Sequence, residues 1–216
     1  VTGAGCGIPP TLLVFEGDSI TAGGDSGNPY PSQVANALTA DAVPIDWHNV
    51  AIDGTTIAEM LIRASGRVDT FYHPEVTTVP QIVILFGGTN DIRSGANAAT
   101  VISRTESYYA ARAALGWKMI EVGMLPRTQV GLPADFEARR QAIRIDRLSK
   151  YTIATAVSNV WQNADGNLYV DLGADTVIGE DGDQNDVTYY ISKVHLTAAG
   201  CAVVAGYVKD AILLFP

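Results

Sequence analysis

Positive charge is what this chain has least of. Fourteen lysines and arginines face 23 aspartates and glutamates, for a formal net charge of −9. That balance argues against nucleic acid as a partner, because neutralising phosphates requires clustered Lys and Arg. No apolar run approaches the roughly 18 residues of a membrane span. Two cysteines, Cys6 and Cys201, stand far apart, whereas zinc sites bring their ligands in close pairs, so no metal site is expected. The spacing leaves two readings open, a pair of buried thiols or a disulfide between the amino-terminal segment and the last helix. The disulfide would suit an oxidising compartment, and a secreted or extracellular location is the expectation. Val1 opens the chain without a charged-then-apolar leader, which leaves a mature protein or an excised module as readings. Repeats, low-complexity tracts and Pro- or Ser-rich linkers are also missing, so residues 1–216 read as a single domain.

What remains is a chain that buries a large core, with 47% hydrophobic and 17% charged residues. Apolar runs suited to buried strands recur at 12–16, 45–50, 81–86, 118–124 and 167–172. Helical patterns separate them, and this alternation predicts a parallel sheet covered on both faces. Thr56 and Glu59 form a capping box ahead of Met60 and Leu61. Pro31 and Pro133 each suit a first helical turn. Val203, Val204, Tyr207, Val208, Ala211, Ile212 and Phe215 recur on one face of a final helix, with Thr197 as its expected N-cap.

Four segments of complementary chemistry fall at the ends of these strands. Ser19 follows the first strand in Gly17-Asp18-Ser19-Ile20-Thr21, and Gly54 follows the second in Asp53-Gly54-Thr55. Asn90 follows the third in Gly88-Thr89-Asn90-Asp91, and His195 precedes the last helix in His195-Leu196-Thr197. Open α/β sheets place their sites at this carboxyl edge. Serine becomes a useful nucleophile only when a base takes its proton, and His195 is the best placed of three histidines. His48 lies in or beside the second strand and His73 precedes Pro74 in a turn. The Ser19 and Gly54 backbone N–H groups and the Asn90 amide are candidates to hold an oxyanion.

On these motifs the chain resembles the SGNH hydrolases, also called the GDSL esterase/lipase family, over nearly its whole length. Gly17–Thr21 is similar to the family's nucleophile block, Gly54 to the glycine of its second, Gly88–Asp91 to its third and His195–Gly200 to the end of its fifth. The resemblance implies a flavodoxin-like three-layer α/β/α sandwich with a five-stranded parallel sheet of order 2-1-3-4-5. It also implies a serine esterase acting without metal or organic cofactor. The family's fifth block carries an aspartate three residues before the histidine, and this chain has Ser192 there. A Ser19–His195 catalytic dyad, with a main-chain carbonyl orienting the ring, is the preferred expectation. A replacement acid from Asp183 or Asp186 comes next, and an inactive site last.

Short acyl esters, acetyl groups on carbohydrate above all, are the expected substrates, since no lid insertion or greasy flap for long chains is evident. Activity should rise with pH through a group near roughly 6–7, because the imidazole must be neutral to act as base. The main rival is a non-catalytic carbohydrate-binding domain of the same fold. A flavin-binding protein of similar topology is a third reading, because Ser19–Gly23 loosely matches a phosphate loop.

Two further features have plain readings. The acidic stretch 174–190 opens like a calcium loop at Asp181 but lacks its sixth-position glycine and twelfth-position glutamate, which favours a solvated loop. Arg139, Arg140, Arg144, Arg147 and Lys150 read as an exposed helical face. Arg127, in the loop after the fourth strand, would border the site and could meet an anionic substrate, although loop solvation is the simpler account.

Overall fold

Leu12, Leu13, Val14 and Phe15 are all buried, and their side chains leave a strand alternately on its two faces. Leu13 and Phe15 enter one apolar layer, while Leu12 and Val14 enter the other. The neighbouring strand repeats the division, with Ile82, Ile84 and Phe86 on the first side and Val83 and Leu85 on the second. A strand that is apolar on both faces must be covered on both, and this one is.

In the computed structural model, which describes residues 9–154 and 159–216, the elements run in this order. The first half comprises β1 (Thr11–Gly17), α1 (Ser19–Ala22), α2 (Tyr30–Ala40), β2 (Ile45–Asn49), α3 (Ile57–Arg67), β3 (Gln81–Phe86), α4 (Thr89–Arg93) and α5 (Ala98–Ala113). The second half comprises β4 (Lys118–Val122), α6 (Phe136–Lys150), β5 (Thr152–Ile153), β6 (Val160–Gln162), β7 (Leu168–Val170), β8 (Tyr190–Ile191), β9 (His195–Leu196) and α7 (Ala198–Ile212). The main sheet has the order β2-β1-β3-β4-β7-β6-β5. Its first five strands are parallel, and β6 and β5 extend it antiparallel beyond β7. The parallel part therefore has the expected order, and the strand count is corrected from five to seven. The two added strands are only two and three residues long, too short for a periodic signal.

Helices α2 and α7 pack together over one face of the sheet, and α3, α5 and α6 cover the other. The capping box at Thr56 forms as expected, and Thr197 accepts from Gly200 N–H as the N-cap of α7. Pro133 stands before α6 rather than in its first turn, and Phe215 falls beyond the end of α7. Cys201 is buried in α7, whereas Cys6 lies outside the described residues. No helix among the described residues is long and apolar enough to cross a membrane.

The basic face expected on α6 is a correction. Arg140 and Arg147 are each only 2% exposed. Arg140 donates to the carbonyls of Met124 and Gly179 and pairs with Glu137. Arg147 pairs with Glu121 of β4, and Arg144 grips Asp171 with two bonds. These guanidiniums satisfy carbonyls and carboxylates that the strand ends would otherwise leave buried and unpaired.

Candidate active site

Gly17 ends β1 where the chain must pass close to its neighbours. A Cβ there would come within 2.6 Å of the Phe86 carbonyl oxygen and 2.2 Å of Thr21 Oγ1, which leaves room for glycine alone. Asp18 then caps the short helix α1, its carboxylate accepting from Ile20 N–H at 3.0 Å. This turn fixes Ser19 at the first helical position, half-buried at the sheet's carboxyl edge.

His195 reaches Ser19 from the far end of the chain. It starts β9, which pairs with β8 in a two-stranded hairpin. Ser192 and Lys193 at the hairpin turn have φ of 54° and 60°, and Val194 N–H donates to the Ile191 carbonyl. Two consecutive positive φ values across such a bond are the signature of a tight primed turn. The position where the family pattern would place an aspartate is thus spent on reversing the chain. Ser19 Oγ lies 2.8 Å from His195 Nε2, although 176 positions separate them.

The expected dyad is corrected here. His195 Nδ1 is 2.6 Å from Asp25 Oδ2, so a carboxylate rather than a main-chain carbonyl faces the second ring nitrogen. The contact is close but oblique, an ion-pair approach without a well-directed hydrogen bond. Neither replacement acid fills the role: Asp183 accepts from Glu180 N–H, and Asp186 accepts from Thr188 N–H. Asp25 lies on the Gly-rich loop Gly23–Gly27 directly after α1, with its side chain 58% exposed. The other histidines stand apart, His48 stacked on Phe71 and His73 beside Glu75.

Asn90 bridges the segments that carry the other two oxyanion candidates. Asn90, in the first turn of α4, donates through its amide nitrogen to Asp18 Oδ2 and to the Thr55 carbonyl, each at 3.2 Å. Thr55 follows Gly54, which has φ of 73° and open space where a Cβ would be. Thr55 Oγ1 in turn donates to the carbonyls of Ile52 and Gly17. Asn90 is therefore tied to Asp18 and Thr55, the chain neighbours of Ser19 and Gly54. Among the described residues, the Ser19 and Gly54 N–H groups carry no hydrogen bond. Next to Asn90, Asp91 binds Ile57 N–H and Arg104, which fixes α4 against α3 and α5.

Asp18 is the most perturbed carboxyl at the site. Its burial pushes its pKa from 3.8 up to about 7, against the lowering effects of the Ile20 N–H bond and the Arg127 charge. A small pocket behind Ser19 and His195 is lined by Ile20, Gly23, Ser26 and Cys201. Burial pushes the Cys201 thiol up, so it is no rival nucleophile. No group of three or more His, Cys, Asp or Glu side chains among the described residues is arranged to hold a metal ion. The carboxylates of the acidic stretch bind its own backbone, as Asp175 does with Val177 and Ile178 N–H.

Comparison with known proteins matches residues 15–203 to the model of the GDSL-like Lipase/Acylhydrolase family. Among solved structures, the chain is similar to a GDSL-like lipase from Bacteroides thetaiotaomicron (18% identity, 94% of this chain and 88% of that one, TM-score 0.64). It is similar to a putative lipolytic protein of the G-D-S-L family from Desulfitobacterium hafniense (18% identity, 93% and 99%, TM-score 0.67). The psychrotrophic esterase EstA from a Pseudoalteromonas species also matches (13% identity, 94% and 97%, TM-score 0.65). At these identities the likeness concerns the fold. No curated protein matches the chain.

Proposed function

The chain belongs to the GDSL-like lipase/acylhydrolase family, whose chemistry is ester hydrolysis, and from that premise we propose that it is a serine esterase with Ser19 as nucleophile. The approach of Ser19 Oγ to His195 Nε2 at 2.8 Å carries the reading. It lies within the roughly 2.6–3.2 Å over which a base can take a hydroxyl proton. With Nε2 accepting from Ser19, Nδ1 holds the ring's proton and faces Asp25, whose charge favours the imidazolium that forms.

Ser19 Oγ attacks the ester carbonyl carbon while its proton passes to His195 Nε2. The displaced electron pair resides on the carbonyl oxygen, which receives hydrogen bonds from Ser19 N–H, Gly54 N–H and the Asn90 amide. Collapse expels the alcohol, which takes the proton from His195. Water then repeats the sequence against the acyl-serine and releases the acid. Both Asn90 amide contacts are long, so one hydrogen can be shared with the incoming oxyanion.

We further propose short acyl groups, acetyl foremost, on a carbohydrate or other hydroxylated alcohol. The rim segments beside Ser19, at Gly24–Asn28 and Ile52–Thr55, are short and mainly polar, which favours a small acyl group on a polar leaving group.

Wild type and Ser19→Ala are to be compared on p-nitrophenyl acetate and on an acetylated polysaccharide. The variant should lose at least about 10³ in rate on both. Equal rates would sink the nucleophile assignment, and no hydrolysis above buffer with sugar binding retained would favour a non-catalytic carbohydrate-binding domain. EstA, similar in fold, was crystallised inhibited by monoethylphosphonate. An activated ethylphosphonate ester should transfer its phosphonyl group to Ser19 Oγ here with loss of its leaving group. The resulting mass increase should be absent from Ser19→Ala.

A further inference from the structure

Among the described residues, nine of the fourteen basic side chains are ion-paired with carboxylates. That is the expected fate of scarce cations in an acidic protein. Of the remaining five, Arg67 donates to the Val50 carbonyl, and Lys118 starts β4 at the opposite edge of the sheet. The other three lie at the carboxyl edge that carries Ser19: Arg93 close enough to act on Arg127, and Lys193 on the hairpin turn whose backbone meets Thr128.

Their placement follows from the elements already described. Arg93 ends α4, whose first turn carries Asn90. Arg127 follows the end of β4, and its Nη1 lies 3.4 Å from Thr89 Oγ1 on the same short helix. Lys193 occupies the hairpin turn before His195, and its carbonyl accepts from Thr128 N–H, the residue after Arg127. Arg127 is the central member. It is half-buried, its Nε is buried without a partner, and its other amino group meets the neutral side chain of Gln129. Burial and the neighbouring Arg93 charge press its pKa downward against the pull of the Asp18 charge, and guanidinium stays charged. Arg127 is therefore a partly desolvated cation with unused donors beside the reacting groups.

We propose that Arg127, with Arg93 and Lys193 around it, forms a subsite for an anionic oxygen group, carboxylate or phosphate, carried by the ester substrate. A guanidinium fork matches both groups, and partial burial makes each such bond count for more than it would in water. The Arg93 and Arg127 charges would draw an anionic ester to their side of the site, against the opposing charges of Asp18 and Asp25. The proposal rests on Ser19 as the reacting group, since it is the neighbourhood of Ser19 that makes the anion part of a substrate.

The test compares anionic esters with neutral counterparts of the same shape. 4-Acetoxybenzoate and 4-acetoxyphenyl phosphate carry the charge on the alcohol side, with 4-acetoxybenzamide as the neutral reference. 4-Nitrophenyl hemisuccinate carries it on the acyl side, with 4-nitrophenyl butyrate as reference. Wild type should favour at least one anionic ester in kcat/KM, and Arg127→Met should lower that anionic-to-neutral ratio at least about tenfold, mainly through KM, with Arg127→Lys in between. Raising the salt should lower the wild-type ratio. An unchanged ratio, with both rates falling alike, would mean that Arg127 merely supports buried Asp18, and would overturn the proposal. Arg93→Gln and Lys193→Asn sit at exposed positions and keep the test open if Arg127→Met misfolds; Asn tolerates the left-handed backbone at 193. Each should lower the ratio about threefold. Calorimetric binding of intact 4-acetoxybenzoate and 4-acetoxybenzamide to Ser19→Ala separates the two claims. Preferential anion binding without wild-type hydrolysis would retain the subsite and reject the nucleophile. Equal binding of both would reject the subsite.

Discussion

The two sides of the candidate site are built on opposite terms. On one side, Asp18, Asn90 and Thr55 form a buried hydrogen-bonded bracket at the ends of β1 and β3. On the other, His195 and Asp25 come from a hairpin and a Gly-rich loop, and the Asp25 carboxylate is largely in water. Asp18 and Asp25 flank Ser19 in the chain, yet one is a desolvated carboxyl inside the fold and the other a solvated anion on a loop. In the proposed reaction the buried Asn90 amide is the best-fixed of the oxyanion donors, where a fixed dipole does most for a developing charge. The proposed base, His195, has looser support, and high dielectric around Asp25 would weaken its pull on an imidazolium.

The sharpest way to break this comparison is to remove a donor from the rigid side. Asn90→Ala should lower kcat on p-nitrophenyl acetate by about 10²–10³. The fold should survive, because α4 is anchored through Asp91 rather than Asn90. A loss under about threefold, with an unchanged melting temperature, would show that Asn90 only braces the loop at Thr55. On the looser side, Asp25→Asn should cost less, about 10–10²-fold, well short of the roughly 10⁴ recorded for a buried triad aspartate. Steady-state kinetics of the two variants side by side would settle the ranking. A larger loss at Asp25 than at Asn90 would reverse it and mean that the loop closes over His195 when substrate binds.

The difference between the two sides also explains what could be read beforehand. Ser19, Gly54 and Asn90 follow successive apolar runs within a few residues, so strand order alone brings them to one edge. His195 precedes a helix whose cap and apolar face are both local signals. Asp25 has no such marker. It stands in a flexible-looking Gly-rich loop, and its role depends on how α1 turns the chain back towards a hairpin far away in sequence. Its one local hint is its closeness to Ser19, on the loop directly after α1. Buried Arg140 and Arg147 were hidden for a related reason. Helical spacing shows that they share a stripe, but only tertiary packing reveals that carbonyls and Glu121 await them.

The smallest expected effect concerns stability and isolates the rigid side. Asp18 holds its proton more tightly in the folded protein, where its pKa is pushed up to about 7, than in the unfolded chain at its ordinary value of 3.8. Between those values the folded state binds more protons, so this group's contribution to stability falls as pH rises from about 4 to about 7 and levels off above. Asp18→Asn removes that slope while leaving an uncharged group of the same shape. Its amide loses an acceptor that Ile20 N–H or Asn90 now uses, but this penalty is the same at every pH. The melting temperature of the variant relative to wild type should therefore be higher at pH 8 than at pH 5, by several degrees. A pH-independent difference would mean that Asp18 stays ionised in the fold, with the Arg127 charge outweighing desolvation. Arg127 would then have a structural partner after all, and the two halves of the site would be electrostatically joined.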